Sequence, residues 1–427
     1  MNHLGSIWPP FTQTGLAPDP IKVLNGHGVW LELEDGRKVI DAISSWWVNL
    51  HGHARPEIAE AIYTQAKQLE HVIFAGYTHD PALKLAQVLV DALPDPLSKV
   101  FFSDNGSTAI EVAIKMAVQA SYNKGQAKVR IVAFEGAYHG DTFGAMATGE
   151  RSVFSEPFEG MLFAVDRMPY PATWEGDAGY EAKECDALAR LEEHLRVHRD
   201  EVAMVMIEPF VQGAGGMRMV EASFLQGIDS LCKKYEVLLC FDEVMTGFGR
   251  TGEFFACIKA EVCPDIICLS KGITGGFLPL SVTVTTQTVF DAFHSKDPLK
   301  ALYHGHSYTA NPLGCAAALA SWQILIQEQS FRNLEGRYHQ HIEKLRNHSS
   351  VEKIRSCGTI LAFDVKSSNG GYFDSLGPIL KQRFAHSRAL LRPLGNTVYV
   401  LPPYTISDDE LLLIFEEIHH VFDSLKE

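Results

Sequence analysis

A repeated unit constrains this chain more than any single motif. It is a short apolar run, then a polar or glycine-rich turn, then residues spaced as on one helix face. Residues 100–102 run apolar into Asn105-Gly106-Ser107, after which Ile110, Ala113, Ile114 and Ala117 recur at helical spacing. Residues 129–134 form the next run and end in a glycine-rich turn. The run 202–207 is apolar almost throughout, as a strand covered on both faces must be. A helical pattern over 224–235 leads into 237–241, closed by Asp242-Glu243; the run 266–269 is ended by Ser270-Lys271-Gly272, and 281–285 alternate. Strands alternating with helices predict an α/β fold, a mostly parallel sheet flanked by helices. In such sheets ligands bind at the carboxyl ends of the strands, where the polar turns lie.

Outside this rhythm the chain divides in three. Residues 28–42 read as a hairpin around Asp35-Gly36, and the segment 1–50 is expected to join a smaller C-terminal unit. Residues 51–330 form the large domain. Residues 331–427 read as a small α+β domain, with a strand near 359–365, a helix near 377–390, a short strand at 398–401 and a final helix. A formal charge of −15 argues against nucleic acid or an anionic membrane surface as partner, since both need a basic face. No apolar run is long enough to span a bilayer, and the start MNHLGSIWPPFTQTG lacks the basic-then-apolar pattern of a signal peptide. Eight scattered cysteines without a C-x-x-C pair, several in apolar runs (Cys240, Cys268, Cys315), suit reduced thiols and a cytoplasmic location. The triplets His51-Gly-His53 and His304-Gly-His306 lack carboxylates at ligand spacing, so no metal is expected.

Four strand-end features carry chemistry. Lys271 follows an apolar strand and precedes glycines, so its amine can be desolvated and attack an aldehyde; the alternative is a solvated surface charge. Asp242 closes an apolar strand, as a helix cap or ion-pair partner, or as counter-ion to a buried cation such as a protonated pyridine nitrogen. Asn105-Gly106-Ser107-Thr108 opens a helix whose free N–H groups suit a phosphate, though serine and threonine are also ordinary caps. Tyr138 could stack on a flat ring or belong to the core. Together they fit pyridoxal phosphate better than a nucleotide, because neither G-x-G-x-x-G nor G-x-x-x-x-G-K-[ST] follows these strands.

D-E-V-M-T-G-F-G-R-T-G (242–252) and L-S-K-G-I-T-G-G (269–276) strongly resemble the class III, or ω-, aminotransferases of fold type I, and the resemblance runs from Gly28 to Tyr404. It implies that Lys271 holds pyridoxal phosphate covalently and moves the proton. Asp242 would bind the ring nitrogen, Glu208 would stand behind it, and Tyr138 would stack on the ring. Gly106 and Ser107 would hold the phosphate, completed by Ser307 of a second subunit in a homodimer. S-S-W-W (44–47) with His51-Gly52, Y-H-G-D-T-F-G-A-M (138–146), I-E-P-F-V-Q-G-A-G-G-M (207–217), L-R-P-L-G (391–395) and L-P-P-Y (401–404) are similar to one branch of that family. That branch makes 7,8-diaminononanoate from 8-amino-7-oxononanoate in biotin biosynthesis, usually with S-adenosylmethionine as donor and in some relatives lysine. The likeness implies that Trp46 and Trp47 wall an apolar channel, that Arg392 pairs with the acceptor's carboxylate, and that Tyr399, Gly305 and Phe11 belong to the substrate site. Phe11 stands where a tyrosine is common and His306 where a proline is; Arg250 is shared with the whole class. The motifs leave open a class III enzyme acting on lysine, ornithine, 4-aminobutyrate or a diamine, and an aminomutase or racemase on the same scaffold.

Overall fold

The computed structural model describes residues 6–367, 370–371 and 374–425. Near the N-terminus β1 (Val23–His27), β2 (Trp30–Leu33) and β3 (Lys38–Asp41) pair antiparallel. The turn between β2 and β3 needs Gly36, whose φ of +86° is one that side chains resist. Asp35 accepts a hydrogen bond from the Arg37 N–H and so closes the turn.

The next strands are β4 (Leu97–Ser103), β5 (Arg130–Phe134), β6 (Asp166–Met168) and β7 (Val202–Ile207). A two-strand ribbon, β8 (Val211–Gln212) and β9 (Arg218–Met219), precedes β10 (Leu238–Asp242), β11 (Ile266–Leu269) and β12 (Ser281–Thr286). The main sheet has the order β4-β12-β11-β10-β7-β5-β6. Only β12 runs against its neighbours. Every residue of β7 and β11 is buried, as their unbroken apolar runs require. The alternating polar residues of β12 are also buried, which the alternation did not predict. The helix Gly106–Asn123 covers that face, and the Thr283 hydroxyl donates to the carbonyl of Ala109 on it, 2.9 Å away.

In the C-terminal region β13 (Val351–Cys357), β14 (Ile360–Val365) and β16 (Thr397–Val400) form one antiparallel sheet. The helix expected over 377–390 is shorter, Leu376–Phe384. Residues beyond it form β15 (Ala389–Leu390), which pairs parallel with β3, because the edge of the N-terminal sheet offers it backbone partners. A single buried apolar cluster runs from Val29 and Ile40 through the main sheet to Phe415 and Phe422 of the last helix. The helices Pro56–Ala66, Asp80–Ala92 and Tyr180–His198 complete the layers and were not read from the sequence. Among the described residues no helix is long and apolar enough to cross a membrane.

Candidate active site

The carboxyl ends of the main sheet's strands gather Asp242, the last residue of β10, Lys271 after β11, Gly106 and Ser107 after β4, Tyr138 and His139 after β5, and Glu208 after β7. All line one cavity of about 500 Å³. Lys271 takes a left-handed φ of +45° as the chain leaves β11, and its ammonium lies 5.0 Å from the centre of the Trp47 ring. Burial pushes its pKa below the ordinary lysine range; Asp242 and then Glu208 pull the other way.

Asp242 is not an unpaired acid. Its Oδ1 accepts the Val244 N–H at 3.0 Å, and its Oδ2 lies 2.6 Å from Nδ1 of His139. Burial alone would lower the pKa of His139, but the hydrogen bond to Asp242 and its charge outweigh that and leave it raised. The imidazole therefore fixes the carboxylate's orientation and stabilises its charge. The other ring nitrogen of His139 is buried with no partner among the described residues. His139 is the site residue the sequence reading passed over. The available signal was that a carboxylate closing an apolar strand must find a partner. Glu208 accepts the N–H groups of Tyr138 and Gly213, both at 3.0 Å, and so ties the β5 turn to the loop after β7. Burial pushes its pKa up to about 7, against the nearby His139 and with the charge of Asp242. The Tyr138 hydroxyl donates to Asp141 at 3.0 Å, and burial raises its pKa.

The cavity fits pyridoxal phosphate on three observations. Asn105 and Thr108 cap the helix Gly106–Asn123 reciprocally, so its first turn faces the cavity with N–H groups that no helix can satisfy internally. A side chain at Gly106 would meet the Val244 Cγ1 at 2.6 Å, and one at Gly140 would meet the Ser107 Oγ at 2.1 Å, so both keep the floor of the cradle low. An anion cradle, an acid held by an imidazole and a desolvated amine are then spaced around one chamber.

A second cavity, of about 690 Å³, opens from the first and shares Lys271, Tyr138, Gly140 and Trp47 with it. Its walls include Trp46, Phe11 and Phe154. The Phe11 ring lies 5.8 Å from Trp46 and 6.1 Å from Phe154. The two tryptophans sit on an unusual turn: Ser44, Ser45, Trp46 and Trp47 have φ of +52°, +46°, +69° and +75°. Left-handed backbone costs a non-glycine residue about 1–2 kcal/mol, so the turn is held from outside. It leaves Trp47 buried against Lys271 and Trp46 40% exposed at the cavity wall. The guanidinium of Arg392 lies 4.8 Å from the Trp46 ring, and among the described residues no carboxylate pairs with it.

Five expected residues line neither cavity, one of them Arg392, which reaches the site through the Trp46 ring. Tyr399 is buried behind Trp47 and accepts its indole N–H at 3.1 Å, so it supports the wall instead of lining it. Arg250, also buried, donates to the carbonyls of Trp47 and Asn49 and reaches Pro402; it is a backbone clamp. Gly305 and Ser307 lie in an exposed loop and line neither cavity. Of the two histidine triplets, His51 bonds Ser321 and His53 bonds Asp41, each spent on the protein itself.

A family model described as "Aminotransferase class-III" matches residues 13–422. The chain is 54% identical over 420 residues to the adenosylmethionine-8-amino-7-oxononanoate aminotransferase of Synechococcus elongatus, covering 98% of this chain and 99% of that one. The crystal structure of the enzyme of that name from Methanocaldococcus jannaschii superposes with a TM-score of 0.90 at 33% identity, over 98% of this chain and 97% of that one. An amine transaminase from an uncultivated Pseudomonas species, solved in its PLP-bound form, gives a TM-score of 0.92 at 28% identity, over 99% and 100%.

Proposed function

The chain belongs to the class III aminotransferases, and from that premise we propose that it converts 8-amino-7-oxononanoate to 7,8-diaminononanoate with S-adenosylmethionine as amino donor, a step of biotin biosynthesis. Its cofactor is pyridoxal phosphate, which when bound supplies the electron sink that amino transfer needs. The protein supplies the rest. Gly106 and Ser107, at the helix start, hold the phosphate through backbone N–H groups and the helix dipole. Asp242, oriented by His139, would bind the ring nitrogen and would favour its protonated form. Lys271, its amine desolvated beside Trp47, would anchor the cofactor and would carry the proton at its Nζ. Trp46 and Trp47 line the acceptor's path and exclude water from it. Arg392, over the Trp46 ring and without a carboxylate partner among the described residues, pairs with the acceptor's carboxylate. Ser307 completes the phosphate site of a second subunit in a homodimer, its exposed loop being available for that contact. We place the reaction in the cytoplasm.

The observation that carries this reading is the junction at Lys271, where a cradle for an anionic ring meets an indole-walled chamber with the Arg392 guanidinium against its Trp46 wall. The test is to incubate the holoenzyme with 8-amino-7-oxononanoate and, in separate vessels, S-adenosylmethionine, lysine or glutamate, and to measure diaminononanoate by mass spectrometry. Product with S-adenosylmethionine is expected. Product with lysine alone replaces the donor, and no product with any donor overturns the acceptor. A single amine that isomerises without an acceptor would turn the reading to an aminomutase or racemase.

A further inference from the structure

The tryptophan wall rests on four consecutive left-handed residues, none of them glycine, so something must hold them there. The turn's own backbone bonds are few: Trp47 N–H to the Ile43 carbonyl at 2.9 Å, and the Val48 and Asn49 N–H groups to the Ser44 carbonyl, both at 3.0 Å. At Ser45 the rest comes from one side chain. Asp41, at the end of β3 and fully buried, accepts the Ser45 N–H at 2.9 Å and the Ile43 N–H at 3.4 Å on Oδ1. Its Oδ2 accepts the Ser45 hydroxyl at 2.6 Å and lies 3.0 Å from Nε2 of His53. His53 is in turn held by Asn49, 3.2 Å away, just beyond the turn. The carboxylate thus caps the turn from inside and is braced from the far side of the same loop. Arg250 and Tyr399 act later, on the carbonyl and the indole of Trp47. Asp41 is the side chain that reaches Ser45, while the Ser44 hydroxyl donates to the carbonyl of Leu401 at 2.8 Å.

We propose that Asp41 is a positioning residue for the acceptor chamber: by capping the left-handed turn Ser44–Trp47 it sets where Trp46 and Trp47 point, while lining neither cavity itself. The inference rests on the acceptor site proposed above. A capped turn is a two-part device. The carboxylate supplies acceptors for N–H groups that a right-handed helix would not expose on that side, and β3, paired with β2 and β15, supplies a rigid base for it. Removing the carboxylate lets Ser45 relax toward right-handed backbone, which rotates both indoles away from their present directions.

The experiment uses holoenzyme labelled with 5-fluorotryptophan, whose six tryptophans give six fluorine resonances, with Trp46→Phe and Trp47→Phe identifying two of them. Asp41→Ala is expected to shift or broaden those two and leave the other four in place. Its KM for 8-amino-7-oxononanoate should rise about tenfold, the size of one charge-assisted bond lost, with kcat held within about threefold. The decisive arm is Asp41→Ala combined with Ser45→Gly. Glycine adopts φ of +46° without strain, so the double variant should recover the resonances and most of the acceptor KM. Should Asp41→Ala fail to fold, Ser45→Ala removes the hydroxyl bond alone and should move the same two resonances by a smaller amount. Unmoved Trp46 and Trp47 resonances, or loss of kcat and KM together without rescue by glycine, overturns the proposal. If the wild type ignores 8-amino-7-oxononanoate altogether, the proposed function fails, and the fluorine spectra still decide the role of Asp41.

Discussion

The smaller cavity at Lys271 and the larger one beside it share four residues, yet they are assembled in different ways. The smaller is made of strand ends. Asp242, Lys271, Ser107, Tyr138 and Glu208 each leave an adjacent or nearby strand of one sheet, so register alone brings them within one chamber. The larger is made of segments far apart in the chain: Phe11, the tryptophans of the Ser44–Trp47 turn and Phe154, with Arg392 against Trp46 just outside the lining. Its shape depends on a strained turn and its clamps. A rigid sheet suits chemistry, where a small displacement is costly. A wall of side chains on a loop suits recognition, because it can change without disturbing the sheet.

The largest effect that tests this division belongs at the junction. Lys271→Ala should lower kcat by at least about 10²–10⁴-fold, the range of a positioned proton carrier. Borohydride should then no longer fix the cofactor to the protein, as peptide mass spectrometry would reveal. A variant that transaminates at the wild-type rate would remove the basis of both cavities. The next effect is confined to the smaller cavity. Glu208 has a folded-state pKa raised from 4.5 to about 7, so the folded state holds a proton that the unfolded chain has released. Stability from this group is complete below about pH 4.5 and is lost as pH rises through 7, by up to about 3 kcal/mol. Denaturant melts between pH 5 and 8 should show this decline in the wild type and a flatter profile in Glu208→Gln. An equal slope in both would mean that Glu208 is not the buried acid responsible.

The same division decides what the amino-acid sequence discloses. Asp242 and Lys271 are legible because an apolar strand ending in a charged residue is a local pattern with one place to point. His139 was missed although it adjoins Tyr138, since its partner is a residue 103 positions away and spacing carries no trace of it. The alternation along β12 shows which residues share a face but not what covers it, and the helix Gly106–Asn123 covers the polar one. Trp46 and Trp47 stand out as residue types, but S-S-W-W contains no glycine to announce four positive φ angles. The handedness comes from Asp41, Arg250 and Leu401, whose carbonyl takes the Ser44 hydroxyl at 2.8 Å. Tyr399 was expected in the channel and is one layer behind it, because alternation along β16 gives a residue's side of the sheet and not what stands between it and the ligand.

A smaller effect should fall on the larger cavity alone. Arg392→Ala should raise the KM for the keto acid by about 10–100-fold, since a bond to an ionised partner contributes about 1.5–3 kcal/mol. The donor KM and the melting temperature should stay near wild type, because Arg392 has no carboxylate partner among the described residues to leave unpaired. Steady-state kinetics with each substrate varied in turn would check this. Equal rises for donor and acceptor would mean that the guanidinium serves both and that the chamber is not divided.

The smallest effect asks how finely that chamber is divided. Phe11 is half-exposed, with its ring edge-on to Phe154 and tilted against Trp46, at the solvent-exposed end of the larger cavity's wall. Phe11→Tyr adds one hydroxyl there and changes no packing volume that the core depends on. If that end receives the donor, one new neutral hydrogen bond should lower the donor KM by about 2–10-fold. The acceptor KM should not move, because the indoles that wall its path keep their clamps. Measuring the donor KM at saturating acceptor, and the reverse, separates the two. A fall in the acceptor KM of the same size would place Phe11 on the acceptor's path, and the aromatic cluster Phe11–Trp46–Phe154 would then be a single wall used by both substrates in turn.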